Sequence, residues 1–172
     1  MKSVLLNKKH YDGPGVYIGR PSQNINSNEH YGNPFSHQSK TKAEFVVGGG
    51  REEACRCYDW WIRGITGKNP AVGFALKDQK LIRRRNWIVR QLHAGALNGR
   101  ALICWCAPEL CHGHILIRLQ QEALGLIRAS DDTTERFLAR FSPIHRCTIC
   151  DINPVDTDAG YDTCQECIKT HI

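Results

Sequence analysis

One nearly unbroken apolar run constrains the fold of this chain more than any other feature. Residues 100–106 are Arg-Ala-Leu-Ile-Cys-Trp-Cys, and residues 112–126 follow with apolar side chains at helical spacing. A strand with so few polar side chains is typical of a central strand that is covered on both faces. A buried strand that leads straight into a helix predicts an α/β domain.

The preceding part of the chain has the same alternation. The pattern predicts a short strand over 16–19, a helix over 51–63 and a second helix over 79–97 that Asn98-Gly99 ends. Strands and helices in this order predict a small α/β domain with a largely parallel sheet. In such sheets the ligand site lies at the carboxyl ends of the strands. We therefore expect the segments 19–21 and 104–106 to face one crevice.

Composition narrows the class of protein. In the 172 residues no apolar run approaches the ~20 needed to span a bilayer, and the N-terminal apolar segment is too short for a signal peptide. The chain is therefore expected to be cytoplasmic, without a membrane partner. Its nine cysteines are then expected to be reduced, and their odd number and close spacing favour metal or catalytic roles. The net charge of +6 mildly favours anionic partners, including nucleic acid.

The C-terminal segment carries the strongest metal signal. Two C-x-x-C pairs lie thirteen residues apart, and each pair can hold one edge of a tetrahedral site. The sequence predicts one structural zinc ion per chain, bound by Cys147, Cys150, Cys164 and Cys167. The predicted organisation is an α/β domain over 1–128, a linker helix over 129–143 and a zinc ribbon over 144–172.

The segment 104–114 contains three cysteines and two histidines, and three interpretations compete. Cys111 and His112 stand at a predicted helix start, where the helix dipole lowers thiol pKa values and binds anions, so they could act as nucleophile and proton carrier. Alternatively the segment binds metal through three cysteines and one histidine: Cys104, Cys106, Cys111 and either His112 or His114. On a straight strand the thiols of a C-x-C pair would share one face.

In the third interpretation the cysteines of the strand are buried apolar side chains, as free cysteines often are. Cys104 taken alone favours this interpretation. Cys55 and Cys57 are likewise expected to pack within the first helix.

Two polar segments near the N-terminus are further candidates for ligand binding. They are Gly19-Arg20-Pro21-Ser22 and Gly32-Asn33-Pro34-Phe35. Their glycines let the backbone N–H groups approach a ligand closely, the arginine offers a guanidinium for an anion, and the asparagine offers an amide that donates and accepts hydrogen bonds. No G-x-G-x-x-G or Walker pattern is present. The alternative is a plain turn with a surface arginine. The run Arg83-Arg84-Arg85 is interpreted as a solvated helix face, with a nucleic-acid patch as the minority interpretation.

Several of these segments together resemble a known family. The segments are Val16-Tyr17-Ile18-Gly19-Arg20-Pro21-Ser22, Gly32-Asn33-Pro34-Phe35, Arg51-Glu52-Glu53-Ala54, the stretch 97–108 and Cys111-His112-Gly113. Together they are similar to the domain-of-unknown-function family numbered 4326, which is common in phages and bacteria. The resemblance covers about residues 14–120. It implies a small Rossmann-like α/β domain and supplies no activity. It also implies that seven residues belong to a site: Gly19, Arg20, Asn33, Pro34, Cys106, Cys111 and His112.

The expected function is binding of a nucleotide, nucleoside or nucleotide sugar, by an enzyme that acts in nucleotide or nucleic-acid modification. Ligand-binding candidates are Gly19, Arg20, Pro21, Ser22, Asn33, Pro34 and Cys106, and catalytic candidates are Cys111 and His112. Arg20 would hold an anionic group, and Asn33 would bond a ribose or base. The alternative is a non-catalytic zinc-containing module that binds nucleic acid or a host nucleic-acid-processing complex.

Overall fold

The computed structural model describes residues 3–21 and 29–127. Its elements in chain order are β1 (Val4–Asn7), β2 (Val16–Tyr17), β3 (Phe35–Ser36), β4 (Phe45–Val46), α1 (Gly50–Arg63), α2 (Pro70–Ala75), α3 (Gln79–His93), β5 (Ala101–Cys104) and α4 (His112–Ala123).

Strand β5 is the centre of a three-stranded parallel sheet of order β1-β5-β2. Leu102 of β5 is completely buried, as its apolar sequence predicts. A second parallel pair joins β3 to β4. The mixed α/β architecture with parallel strands is therefore confirmed, whereas the finer Rossmann-like arrangement stays a prediction.

Helix α4 starts close to the sheet because its second residue is a glycine. A Cβ atom at Gly113 would lie 2.6 Å from Leu5 Cδ1 and 2.7 Å from Ile18 Cδ1. The glycine thus lets the first turn of α4 approach side chains of β1 and the segment after β2. This approach brings Cys111 and His112 to the carboxyl end of the sheet.

Several predicted boundaries were wrong. Helix α3 ends at His93, because the chain turns at Gly95, whose φ of 73° lies in the left-handed region. The strand predicted over 100–106 ends at Cys104, the one over 16–19 ends at Tyr17, and α4 ends at Ala123. Helix α2, which the sequence did not predict, begins at Pro70, and the side chain of Asn69 accepts a hydrogen bond from Ala71 N at its start.

The interpretation of residues 83–85 as a solvated face holds for Arg83, which is exposed, and was wrong for the other two arginines. Arg84 is only 3% exposed, and its guanidinium lies 2.6 Å from Glu44 Oε1. Arg85 Nε donates to the carbonyl oxygen of Trp61 at 2.8 Å. Two of the three arginines thus bind within the protein, so the run 83–85 does not form a basic patch as a unit.

The C-terminal predictions lie outside the described residues. These are the linker helix, the zinc ribbon and its cysteines at 147, 150, 164 and 167. Ser22 is outside them as well. Among the residues that are described, the helices are too short or too polar to cross a membrane.

Candidate functional site

A cleft with a volume of about 370 Å³ opens at the carboxyl ends of β2 and β5. The structure brings together in its walls most of the residues singled out from the sequence: Gly19, Arg20, Pro21, Asn33, Cys104, Cys106, Cys111 and His112. Pro34 is buried between two lining residues and does not line the cleft itself. The segments 19–21 and 104–106 therefore face one crevice, as the parallel arrangement predicts.

Positive charge dominates the cleft lining. Arg20, Lys42 and Arg51 contribute cations, and none of the described lining side chains is a carboxylate. Arg51 is held by an ion pair of 2.5 Å with Glu109, just outside the lining. Sequence reasoning missed Lys42 and Arg51, although Arg51 directly follows Gly48-Gly49-Gly50 at the start of α1. A cleft of this charge favours an anionic ligand.

Arg20 organises the wall of the cleft. Its Nε donates to Asn33 O at 2.7 Å, and its Nη2 donates to Phe35 O at 2.8 Å. Burial lowers the pKa of its guanidinium, although Glu44 opposes this shift. Two donors of Arg20 thus hold the 33–35 segment, which limits the part of the guanidinium that an anion could bind.

The side chain of Asn33 also bonds to the protein backbone. Its Oδ1 accepts from Phe35 N at 2.9 Å, and its Nδ2 donates to Ala54 O at 3.1 Å. The residue is 6% exposed. These bonds fix the loop against α1, so the geometry favours a positioning role over the expected contact with a ribose or base.

Four side chains form what we call the sulfur cluster: Cys104, Cys106, Cys111 and His112. One nitrogen or sulfur atom from each of Cys104, Cys111 and His112 lies within 4.8 Å of the others. Cys106 lines the same cleft but is not one of these mutually close atoms, and the neighbouring thiols of Cys104 and Cys111 lower its pKa. Because β5 ends at Cys104, Cys106 lies in the following turn, so the straight-strand argument does not apply to this pair of thiols.

The thiols of the cluster differ in environment. Cys111 is buried, caps α4 by accepting from Gly113 N at 3.2 Å, and has a raised pKa because of hydrogen bonds with Cys104 and Cys106. Hydrogen bonds from Cys104 and Cys111 lower the pKa of Cys106 to about 2. Cys106 is also exposed. Cys106 is therefore the more accessible of the two thiols, and the nucleophilic role of Cys111 stays a prediction.

His112 has a defined tautomer. Its Nε2 lies 2.8 Å from the carbonyl oxygen of Ile18, which can only accept, so Nε2 carries the proton. Burial lowers the pKa of this imidazole, which favours the neutral form. The Nδ1 lone pair then faces Cys111 Sγ at 3.8 Å. His114, the other candidate histidine, accepts from Cys111 N at 3.2 Å.

An exposed indole stands at the mouth of the cleft. Trp105 is 61% exposed, which is unusual for a side chain of this size. Asn7 Nδ2 donates to Trp105 O at 3.1 Å and also to Ala107 O, so the end of β1 holds the turn. Sequence reasoning missed Asn7 because nothing in its local pattern places it beside residue 105.

Comparison with known proteins yields one match. A family model described as domain of unknown function (DUF4326) matches residues 6–122, about two thirds of the chain and nearly all of the described part. The match includes every cleft residue named above. No curated protein and no solved structure gives a significant match.

Proposed function

The chain belongs to the DUF4326 family, and from that premise and the lining of the cleft we propose that it binds a nucleotide, nucleoside or nucleotide sugar. The observation that carries this proposal is the pairing of a cationic wall with an exposed indole. Arg20, Lys42 and Arg51 line the cleft without a neighbouring carboxylate in the lining, and Trp105 stands beside them.

Each part of the ligand would have a matching part of the cleft. Phosphate groups would bind the cations, and Lys42 is the one whose residue is exposed. A nucleobase would stack on Trp105, since every base offers a flat π face. The position at the carboxyl ends of parallel strands is the one that ligands commonly occupy in such sheets.

We further propose that the protein is an enzyme in nucleotide or nucleic-acid modification, with the sulfur cluster as its reactive end. The cluster lies in the same cleft, so a bound ligand would reach it. Within the cluster the environment of Cys111 suits a positioning role, and Cys106 is the sulfur that solvent reaches.

Calorimetric titration tests the binding proposal with adenosine, AMP, ADP and UDP-glucose as probes. We expect the phosphorylated probes to bind more tightly than adenosine. Lys42→Ala should weaken that binding by on the order of tenfold, the value of one charged hydrogen bond. Lys68→Ala removes an exposed lysine outside the lining and should have no effect. Equal affinity for adenosine and ADP would refute the phosphate-binding role of the cations, and no binding of any probe would refute the whole proposal.

The C-terminal zinc ribbon is a separate proposal that rests on cysteine spacing alone. Cys147, Cys150, Cys164 and Cys167 would hold one structural zinc ion in a closed site. Elemental analysis of the wild type and of Cys147→Ser tests it. The variant should contain one zinc ion fewer per chain, and an unchanged zinc content would sink the idea.

A further inference from the structure

We infer that the sulfur cluster is itself a metal site, in which Cys104, Cys106, Cys111 and His112 bind one zinc ion in the wall of the cleft. This site is separate from the C-terminal cysteine quartet. It is the alternative to the reactive role proposed above for the same cluster, because a zinc site filled by four protein ligands leaves no free thiolate. It holds whether or not a nucleotide binds.

The first argument is convergence. Three side chains from the end of β5 and the start of α4 place ligand atoms within 4.8 Å of one another. Cys106 lies outside this group and would join it from the turn that follows β5. With Cys106 as the fourth ligand, the group would form a tetrahedral site with zinc–sulfur distances of ~2.3 Å.

The second argument is the orientation of the imidazole. The Nε2–H of His112 donates to Ile18 O at 2.8 Å, so the lone pair of Nδ1 is directed to the sulfur atoms. Histidines that bind metals usually donate their other N–H to a carbonyl or carboxylate in this way. The edge of the Tyr58 ring contacts the imidazole at a centroid distance of 5.3 Å and helps to hold its plane.

The third argument is the chemistry of the donor set. Three thiolates and one imidazole are soft and borderline ligands, which suit zinc and disfavour magnesium or calcium. Four protein ligands fill a tetrahedral zinc site. Such an ion would bind β5, the 105–111 turn and α4 to one another.

A background variant separates this site from the C-terminal quartet. The background variant is the full-length protein with Cys147→Ser and Cys150→Ser, two substitutions that remove half of the quartet. Its metal content is measured by elemental mass spectrometry after gel filtration. We expect about one zinc ion per chain to remain. Adding Cys111→Ser should abolish it. Adding Cys57→Ser should not, because Cys57 is equally buried and bonds Glu53 instead. A background variant without zinc would overturn the inference.

Cobalt substitution keeps the inference testable if Cys111→Ser fails to fold. Cobalt added to the background variant should give the visible spectrum of tetrahedral cobalt with sulfur-to-cobalt charge transfer. Cys106→Ser changes an exposed turn residue and leaves the core intact. It should lower the charge-transfer intensity by about a third, since two of three thiolates remain. No sulfur-to-cobalt band in the background variant, or an unchanged band in Cys106→Ser, would contradict the proposed ligand set.

Discussion

Arg118 Nη2 donates to Asp59 Oδ1 at 2.5 Å, which joins α4 to α1 through two buried side chains. Arg63 extends the contact, because its Nε bonds Asp59 Oδ1 at 3.1 Å and its Nη2 bonds Glu122 Oε2 at 2.6 Å. Two arginines and two carboxylates thus balance in charge between the helices. The network holds α4, whose first turn carries half of the sulfur cluster.

Removing one member of this network should destabilise the protein strongly. Asp59→Ala leaves Arg118 buried with one carboxylate for two guanidinium groups, and broken buried ion pairs cost about 3–5 kcal/mol. Urea denaturation measures the change in the free energy of unfolding. Glu52→Ala is the matched control, because its ion pair with Arg56 is longer, 3.7 Å, and partly exposed; such pairs contribute about 0–1 kcal/mol. A loss below 1 kcal/mol for Asp59→Ala would contradict the prediction.

The exposed indole should contribute to binding and little to stability. Trp105→Ala should weaken nucleotide binding by about 1–3 kcal/mol, the range measured for base–aromatic stacking. The melting temperature should change little, because the ring is 61% exposed. Phe74→Ala is the control, since Phe74 is 65% exposed and does not line the cleft. Calorimetry with ADP distinguishes the two variants, and equal affinities would argue against stacking on Trp105.

His30 should make stability depend on pH below neutrality. Burial and the nearby Arg84 lower the pKa of its imidazole to about 4, while Glu44 opposes and Lys80 adds to the shift. Its Nδ1 accepts from Gly32 N at 3.1 Å, which requires the unprotonated nitrogen. The folded state therefore binds fewer protons than the unfolded state between about pH 6.5 and 4. The stability that His30 contributes is present above pH 6.5 and is lost as the pH falls through this range.

Denaturation of wild type and His30→Gln at pH 7 and pH 5 measures this effect. The wild type should lose more stability between these pH values than the variant does, because glutamine does not titrate. His93→Gln provides the control, as His93 is exposed in the last turn of α3. An identical loss in His30→Gln and wild type would exclude His30 as the cause.

The glycine at the start of α4 should not tolerate a methyl group. Gly113→Ala would place a Cβ atom against Leu5 and the buried side chain of Ile18, and overpacking of this kind costs about 1–3 kcal/mol. Gly73→Ala in α2 meets no atom within 4 Å and should stabilise the protein by up to about 1 kcal/mol. Thermal denaturation should therefore shift in opposite directions for the two variants. A stable Gly113→Ala would show that α4 can move away from the sheet.

Elements with strong local patterns were predictable from the sequence. Helix α1, strand β5 and the start of α4 agree with prediction, because their apolar spacing is long enough to define the period. Strand β1 was missed. Its apolar core is only Val4-Leu5-Leu6, and it is a strand because its backbone pairs with residues 101–104. Pairing partners so distant in sequence leave no local signal.

The sequence predicted which residues form the candidate site better than it predicted what each residue does there. The rule that ligands bind at the carboxyl ends of parallel strands placed the segments 19–21 and 104–106 together correctly. The roles depend on contacts that only folding creates. Asn33 bonds Ala54 O, and His112 bonds Ile18 O across 94 residues of chain. Neither contact could be inferred from the residues beside it.

The place of β5 between β1 and β2 has a consequence for synthesis on the ribosome. Val4 pairs with Ala101, and Val16 pairs with Leu102, so neither early strand has its sheet partner until β5 has been made. At ordinary translation rates the first strand waits roughly 5 to 20 s. During that interval the nascent chain exposes unpaired strand edges. Binding of chaperones to the nascent chain should therefore be greatest just before residues 101–104 leave the exit tunnel.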